Sequence, residues 1–191
     1  MMKNFIAISM CSSDQLQDLL NLSSKLKALY KSGKADHTLA GKNLVMIFEK
    51  PSLRTRMSFQ VAMTDLGGKT IYVRPQDIGG MVGKREPVKD MARVLDRYVD
   101  AIMARTFSHD TITTLAEYAS VPVINALTDF CHPCQATADV LTIKEHFSSL
   151  QGIKIAYIGD GNNVARSLAF ACAKFQMQLI VASPEGYELD S

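Results

Sequence analysis

The chain has 191 residues, of which 47% are hydrophobic and 21% charged, so it is long enough to bury an apolar core. Its net charge of +2 is too small for a nucleic-acid or anionic-membrane binder, and no segment approaches the roughly 18 apolar residues of a membrane span. The N-terminus lacks a secretory signal pattern, and four cysteines are too few for a disulfide scaffold, so we expect a cytoplasmic protein.

The first predicted element is an amphipathic helix over residues 13–31, where leucines recur at helical spacing. Short apolar segments then alternate with helical patterns. The predicted strands cover 44–48, 70–73, 101–104, 122–125, 154–158 and 179–182, and the predicted helices cover 54–66, 87–98, 109–119, 134–147 and 162–175. This alternation predicts an α/β fold, with a parallel sheet flanked by helices and ligands beyond the carboxyl ends of its strands.

A long helix gives way to a polar turn and a new strand between Glu145 and Gly152. We therefore predict two domains, 1–148 and 149–191. The second would hold only two strands and one helix, too few for a stable α/β domain. We expect it to pack on the first domain, or the chain to be a shortened form of a longer protein.

The segment "EKPSLRTRMSF" (49–59) lies where a buried strand is followed by a helix. The first N–H groups of a helix favour an anion, hydroxyl groups from Ser52 and Thr55 add donors, and Arg54 matches phosphate oxygens. The alternative is that Ser52 only caps the helix and the arginines pair with Glu49 or Asp65. The density of arginine and hydroxyl groups favours a phosphate site.

Two further features lie at the same predicted sheet edge. The loop 74–87 is long and glycine-rich, and it suits a functional lid and a flexible surface loop equally. Arg105 ends an apolar strand, where a parallel sheet would bind a ligand, although a charged strand end is common.

The segment "DFCHPCQ" (129–135) presents His132 and Gln135 around Pro133, which favours a helix start. An imidazole can donate to a carbonyl oxygen and an amide oxygen can accept from NH2, which are the contacts that a carbamoyl group needs. Two alternatives stay open. The first is redox catalysis, because Cys131 and Cys134 match the C-x-x-C pattern. The second is a zinc site formed by Cys131, His132 and Cys134, which would lack a second pair of ligands.

The turn "GDGNN" (159–163) follows a predicted strand and partly matches the dinucleotide-binding fingerprint, but Val164 stands at its third glycine position. Asn162 and Asn163 begin the next helix and could offer amide groups to a ligand.

Four segments together resemble the aspartate/ornithine carbamoyltransferase family, in order and with the family's spacing from about 39 to 191. They are "PSLRTR", "ARVLDRYVDAIMART", "ASVPVINALTDFCHPCQATADVLTIKEHF" and "GDGNNVARS". The resemblance implies a carbamoyl-phosphate-binding domain followed by the start of a Rossmann-like domain that binds the amino acid. The "GDGNN" turn favours the ornithine branch.

The resemblance implies carbamoyl transfer from carbamoyl phosphate to the side-chain amine of L-ornithine, giving citrulline and phosphate for arginine biosynthesis. No cofactor and no metal are implied, and a homotrimer is the expected assembly. The implied carbamoyl-phosphate residues are Ser52, Leu53, Arg54, Thr55, Arg105, His132 and Gln135. Arg105 and His132 are the implied catalytic residues, and Asn163 is the implied ornithine contact.

The chain departs from the family at three places. Leu53 replaces the commoner threonine, and the loop 79–86 differs where relatives reach a neighbouring subunit, with Gln76 or Lys84 as possible substitutes. The family's Ser-Met-Gly loop and His-Cys-Leu-Pro motif are not in these 191 residues. We therefore also consider another amine acceptor, a non-catalytic carbamoyl-phosphate-binding piece and, less favoured, a thiol oxidoreductase, and we expect the chain alone to form little citrulline.

Overall fold

A computed structural model describes residues 2–34 and 36–190 and confirms the α/β fold. The helices are α1 (Ser13–Lys31), α2 (Leu53–Asp65), α3 (Val88–Leu95), α4 (His109–Tyr118), α5 (Pro133–His146) and α6 (Asn163–Lys174). The strands are β1 (Asn43–Phe48), β2 (Lys69–Val73), β3 (Ala101–Arg105), β4 (Val123–Leu127), β5 (Lys154–Ile158) and β6 (Gln178–Ala182). No helix in the described ranges is long and apolar enough to cross a membrane.

The larger sheet is parallel, with the strand order β2-β1-β3-β4. Alternate residues of the buried strand β1 face opposite sides, as strand geometry requires. Val45 and Ile47 pack in a cluster with α3 and α4, whereas Leu44 and Met46 pack in a cluster with α2. Helices thus cover both faces, and the carboxyl ends of all four strands lie at one edge.

The N-terminal segment covers the outer edge of β4. Phe5 forms a parallel bridge with Ile124, its N–H donates to Val123 O over 2.9 Å and its carbonyl accepts from Asn125 N over 2.8 Å. Sequence reasoning treated this segment only as a candidate targeting signal. The pairing satisfies backbone groups that an edge strand would otherwise expose.

The smaller sheet pairs β5 with β6 in parallel. Helix α6 packs between this sheet and the first 150 residues, because Leu168 and Cys172 share a buried cluster with Leu16 of α1 and Val140 of α5. The other face of the small sheet is open.

Two elements differ from their predicted bounds. Helix α3 ends at Leu95 rather than at 98, because the Asp96 carboxylate accepts from the N–H groups of Ser120 and Val121 and the chain turns there. Strand β4 runs on to Leu127, and its register with β3 shifts beside Arg105. An extra residue opposite one partner is a β-bulge, which often occurs next to a functional site.

Candidate active site

The turn between β1 and α2 has the strand-to-helix geometry that the sequence predicts. Ser52 is the N-cap of α2, and its hydroxyl accepts from Thr55 N over 3.3 Å and donates to Thr55 Oγ1 over 3.0 Å. Capping does not remove Ser52 from the site, since it also lines a cavity above the turn. Ser52 therefore caps α2 and also faces the cavity, and its contact with phosphate stays a prediction.

The arginines of this turn do not pair with Glu49 or Asp65. Among the described residues, Arg54 has no salt bridge, and the Arg56 guanidinium lies 4.0 Å from the centre of the Tyr72 ring. The Glu49 carboxylate instead accepts from the backbone N–H groups at 82 and 107. Arg54 is thus left available for a ligand.

A cavity of about 580 Å³ lies at the carboxyl ends of the strands, where α2 and α5 begin. It brings together most of the residues that the resemblance implies. Its lining consists of Ser52, Arg54, Thr55, Ser58, Phe59, Arg105, Ala126, Leu127, His132, Cys134, Gln135 and Ala138.

The cavity is electrostatically suited to an anion, because it is lined by Arg54 and Arg105 and, among the described residues, by no carboxylate. Burial, and then the charge of Arg54, lower the pKa of Arg105 from its usual value. Arg105 Nε is buried without a hydrogen-bond partner in the described part of the chain. Since unpaired buried donors are rare, this geometry favours a bound acceptor.

His132 occupies the N-cap position of α5 and is held neutral. Burial, followed by the nearby charge of Arg105, lowers its pKa from 6.5 to about 4. Its Nδ1 atom is buried and has no partner among residues 2–34 and 36–190. A neutral imidazole at this position can take part in a hydrogen bond with a ligand at pH 7.

Gln135 is oriented by the next turn of its own helix. Its Nε2 donates to Asp139 Oδ1 over 2.9 Å, which leaves the amide oxygen as an acceptor. That orientation matches a ligand with an NH2 group. Sequence reasoning missed Asp139, although its spacing of four residues on a helix was a usable signal.

Two implied residues lie outside the cavity lining. The side chain of Leu53 is exposed, so this residue can contribute only its backbone N–H. Asn163 donates from Nδ2 to Thr128 O over 2.6 Å, which engages its amide with the protein. The loop residues Gln76 and Lys84 also lie outside this cavity.

Of the C-x-x-C cysteines, Cys131 is buried and Cys134 is partly buried, and both thiols are weakly acidic. Burial raises the pKa of Cys134 to about 12, and it also raises the pKa of Cys131. Cys131 Sγ accepts from Asn125 Nδ2 over 3.2 Å, beneath the cavity. A redox thiol needs a lowered pKa, so this environment argues against the oxidoreductase alternative. Within the described ranges, no three His, Cys, Asp or Glu side chains are grouped to hold a metal.

Sequence reasoning also missed part of the lining. Ser58 and Phe59 lie one turn beyond Arg54 and Thr55, and Ala138 lies one turn beyond Gln135, so helical spacing could have found them. Ala126 and Leu127 line the cavity at the point where the register between β3 and β4 shifts, and no sequence pattern indicated that shift.

Two family models match nearly the whole chain. The model described as the carbamoyl-P binding domain of aspartate/ornithine carbamoyltransferase matches residues 3–145, and the model described as the Asp/Orn binding domain of the same enzymes matches residues 151–191.

Curated relatives named ornithine carbamoyltransferase include those of Anoxybacillus flavithermus and Methanocorpusculum labreanum. The first is 51% identical over 186 residues, which are 97% of this chain and 59% of the relative. The second is 50% identical over 190 residues, which are 100% of this chain and 62% of the relative. The chain thus spans about three fifths of the length of these relatives.

Solved structures of ornithine carbamoyltransferases have the same fold. The one from Pyrococcus furiosus has a TM-score of 0.95 at 47% identity, and the match covers 98% of this chain and 59% of that one. The one from Thermus thermophilus has a TM-score of 0.90 at 44% identity, and the match covers 100% of this chain and 64% of that one. The chain belongs to the aspartate/ornithine carbamoyltransferase family.

Proposed function

We propose that the cavity binds carbamoyl phosphate and that the protein transfers its carbamoyl group to the side-chain amine of L-ornithine. One observation carries this proposal. Two guanidinium groups, Arg54 and Arg105, line the same cavity at the start of α2 without a carboxylate in its described lining. Such a site attracts a small dianion, and the names of the relatives supply the reaction class.

The phosphate end of the ligand would lie at the first turn of α2. The helix N-terminus offers unpaired N–H groups, and the hydroxyl groups of Ser52 and Thr55 lie beside them. Arg54 can donate two hydrogen bonds to phosphate oxygens and is not engaged in an ion pair with the described residues. Leu53 would contribute its backbone N–H alone.

The carbamoyl end would lie between β3 and α5. Arg105 and the neutral His132 would hydrogen-bond the carbonyl oxygen, and the Gln135 amide oxygen would accept from the NH2 group. When the neutral amine attacks the carbonyl carbon, this oxygen gains negative charge. Donors already in place stabilise it without reorganisation.

The balanced reaction forms one C–N bond and breaks the C–O bond to phosphate. The electron pair of the broken bond leaves with phosphate, and the proton that the attacking amine loses is taken up by the departing phosphate. Thr55 would stabilise the oxyanion with Arg105, and Arg54 with the α2 N-terminus would stabilise the departing phosphate. We assign the ornithine contact to Asn163, at the start of α6, from the resemblance; since its Nδ2 donates to Thr128 O, the contact would use its side-chain oxygen.

We also propose that residues 1–148 form the carbamoyl-phosphate domain and that residues 149–191 begin the amino-acid domain. Strand pairing supports this division, because the large sheet uses strands between 43 and 127 and the small sheet uses strands between 154 and 182. The role in arginine biosynthesis is an expectation from the resemblance, and the cytoplasmic location is one from the N-terminal pattern and the cysteine count.

A homotrimer is the assembly that we propose. An apolar stripe on α2 supports association between copies, because Leu53, Met57 and Val61 are spaced four residues apart and are 77%, 48% and 44% exposed. Ile71 on the edge strand β2 is also exposed.

The test is product formation from carbamoyl phosphate with L-ornithine, putrescine or L-aspartate as the acceptor. We expect the chain alone to form citrulline from ornithine only slowly, and Arg105→Gln to lower that rate by at least about a hundredfold, since oxyanion donors contribute on that order. The control is Arg93→Ala, which removes the same charge from an exposed site on α3. Carbamoylation of aspartate, or a rate insensitive to Arg105→Gln, would contradict the proposal.

A further inference from the structure

Three residues near the start of α6 contact the turn that precedes α5. Asn163 Nδ2 donates to Thr128 O over 2.6 Å, and Arg166 Nη1 donates to Phe130 O over 3.0 Å. The Ser167 hydroxyl accepts from the backbone N–H of His132 over 2.8 Å. Helix α6 follows residue 150, whereas His132 lines the cavity of the preceding domain.

The Ser167 hydroxyl takes part in two hydrogen bonds, and the second one fixes its orientation. Ser167 is 1% exposed, and its hydroxyl donates to Asn163 O over 2.8 Å, one turn earlier in α6. With its hydrogen committed there, the oxygen is left with lone pairs for the His132 N–H. The donor and acceptor roles are therefore unambiguous.

Helix α5 holds the carbonyl of His132, which accepts from the N–H groups of Gln135 and Ala136 over 3.2 and 3.3 Å, whereas the His132 N–H is held by Ser167 of α6. His132 is the N-cap of α5, its side chain makes no capping bond, and Pro133 follows it. Its imidazole Nδ1 has no partner in the described part of the chain. The bond to Ser167 thus fixes the backbone from which the imidazole enters the cavity.

We propose that Ser167 is a positioning residue for His132, through which helix α6 sets the hydrogen bond to the carbamoyl oxygen. The proposal rests on the proposed function, since it assigns that oxygen to His132. Ser167 does not line the cavity, and it bonds to His132 there, so we expect its effect at the carbamoyl end of the site. The phosphate end, at the start of α2, has no contact with it among the bonds described.

The test compares two probes that differ at the carbamoyl end. Inorganic phosphate reports on the phosphate end alone, and phosphonoacetamide carries both a phosphonate and an amide. For Ser167→Ala we expect the Kd of phosphonoacetamide to rise about tenfold, the scale of one lost hydrogen bond, with the Kd of phosphate within about twofold of wild type. We also expect faster hydrogen exchange of the His132 amide by NMR.

The matched control is Ser23→Ala on α1. The Ser23 hydroxyl also donates to the carbonyl four residues earlier, Leu19 O over 2.8 Å, but it accepts from no donor in the described part of the chain. This control should change neither Kd nor the exchange rate. Ser167→Cys keeps the shape of the side chain with a weak acceptor, so it gives a graded loss if Ser167→Ala does not fold.

Different results would overturn the positioning role of Ser167 and the proposed function. A wild-type preference for phosphonoacetamide that survives in folded Ser167→Ala or Ser167→Cys would overturn the positioning role alone. A wild-type chain that binds phosphonoacetamide no better than phosphate would overturn the proposed function, and the positioning role with it. Slow exchange of the His132 amide in folded Ser167→Ala would also overturn the positioning role.

Discussion

Arg105 at the end of β3 donates from Nη1 to the hydroxyl of Thr55, in the first turn of α2, over 3.2 Å. These residues are separated by 50 positions in sequence, yet this bond joins the two ends of the candidate site. Thr55 in turn supplies the N–H and hydroxyl groups that bond to Ser52. Side-chain hydrogen bonds therefore connect the proposed phosphate and carbamoyl ends of the site.

Arg54 should dominate phosphate binding. We predict that Arg54→Ala weakens phosphonoacetamide binding by about 1.5 to 3 kcal/mol, the scale of a hydrogen bond to a charged group. Calorimetry on Arg54→Ala and on the charge-matched control Arg93→Ala measures the difference. Equal affinities for both variants would show that Arg54 does not contact the phosphonate.

His132 should make the protein less stable in mild acid. Its pKa is lowered from 6.5 to about 4, so both states are neutral above pH 6.5. As the pH falls from 6.5 towards 4, the unfolded chain binds a proton that the folded chain does not, and the free energy of unfolding decreases. We predict a loss of about 2 kcal/mol over this interval.

The measurement is urea unfolding at pH 7 and pH 4.5, for wild type and for His132→Asn. The variant lacks the titrating group, so its free energy of unfolding should decrease less between the two pH values. His109, whose pKa is also lowered by burial, remains in both proteins and cancels in the comparison. An identical decrease in both proteins would mean that His132 is not held neutral.

The thiols near the site should react slowly. Burial raises the pKa of Cys134 to about 12, so very little thiolate exists at pH 7. We predict that folded protein is alkylated at Cys131 and Cys134 far more slowly than urea-unfolded protein, as followed by mass spectrometry. The double variant Cys131→Ser with Cys134→Ser should still bind phosphonoacetamide. Rapid alkylation of either thiol in the folded protein would contradict this prediction and favour the redox alternative.

The open face of the small sheet should promote association. Ile158 and Ile180 are 85% and 65% exposed on strands β5 and β6. We predict that Ile158→Thr with Ile180→Thr lowers self-association in sedimentation experiments and changes the free energy of unfolding by less than about 1 kcal/mol, since little apolar area is buried there. A large loss of stability would mean that this face is covered in solution.

Periodicity predicted the elements well where local sequence decides them. The β5 bounds agree at both ends, and the Ser52 cap begins α2 within one residue of the prediction. By contrast, the Asp96 contacts that end α3 and the Phe5 pairing with β4 join segments distant in sequence. Hydrophobic patterns carry no information about such contacts.

The residues of the candidate site also fall into those that local sequence predicts and those that depend on contacts between distant segments. Arg54, Arg105 and His132 were found because they stand at strand and helix ends, where a parallel sheet binds ligands. The Ser167 contact with His132 was not found, because a buried serine within a helix has no distinctive local pattern. Asn163 was assigned from the resemblance, and its amide bonds to Thr128 O instead of lining the cavity.

The most direct test of the account is an NMR titration of the isotopically labelled chain with phosphonoacetamide. We predict shifts of the backbone amide signals at Leu53, Arg54 and Thr55 and of the His132 imidazole. Signals beside the separate apolar cavity of about 250 Å³ between α1 and α2, such as those of Leu29 and Leu66, should stay unchanged. Shifts at that second cavity with none at Arg54 or His132 would contradict the assignment of the carbamoyl-phosphate site.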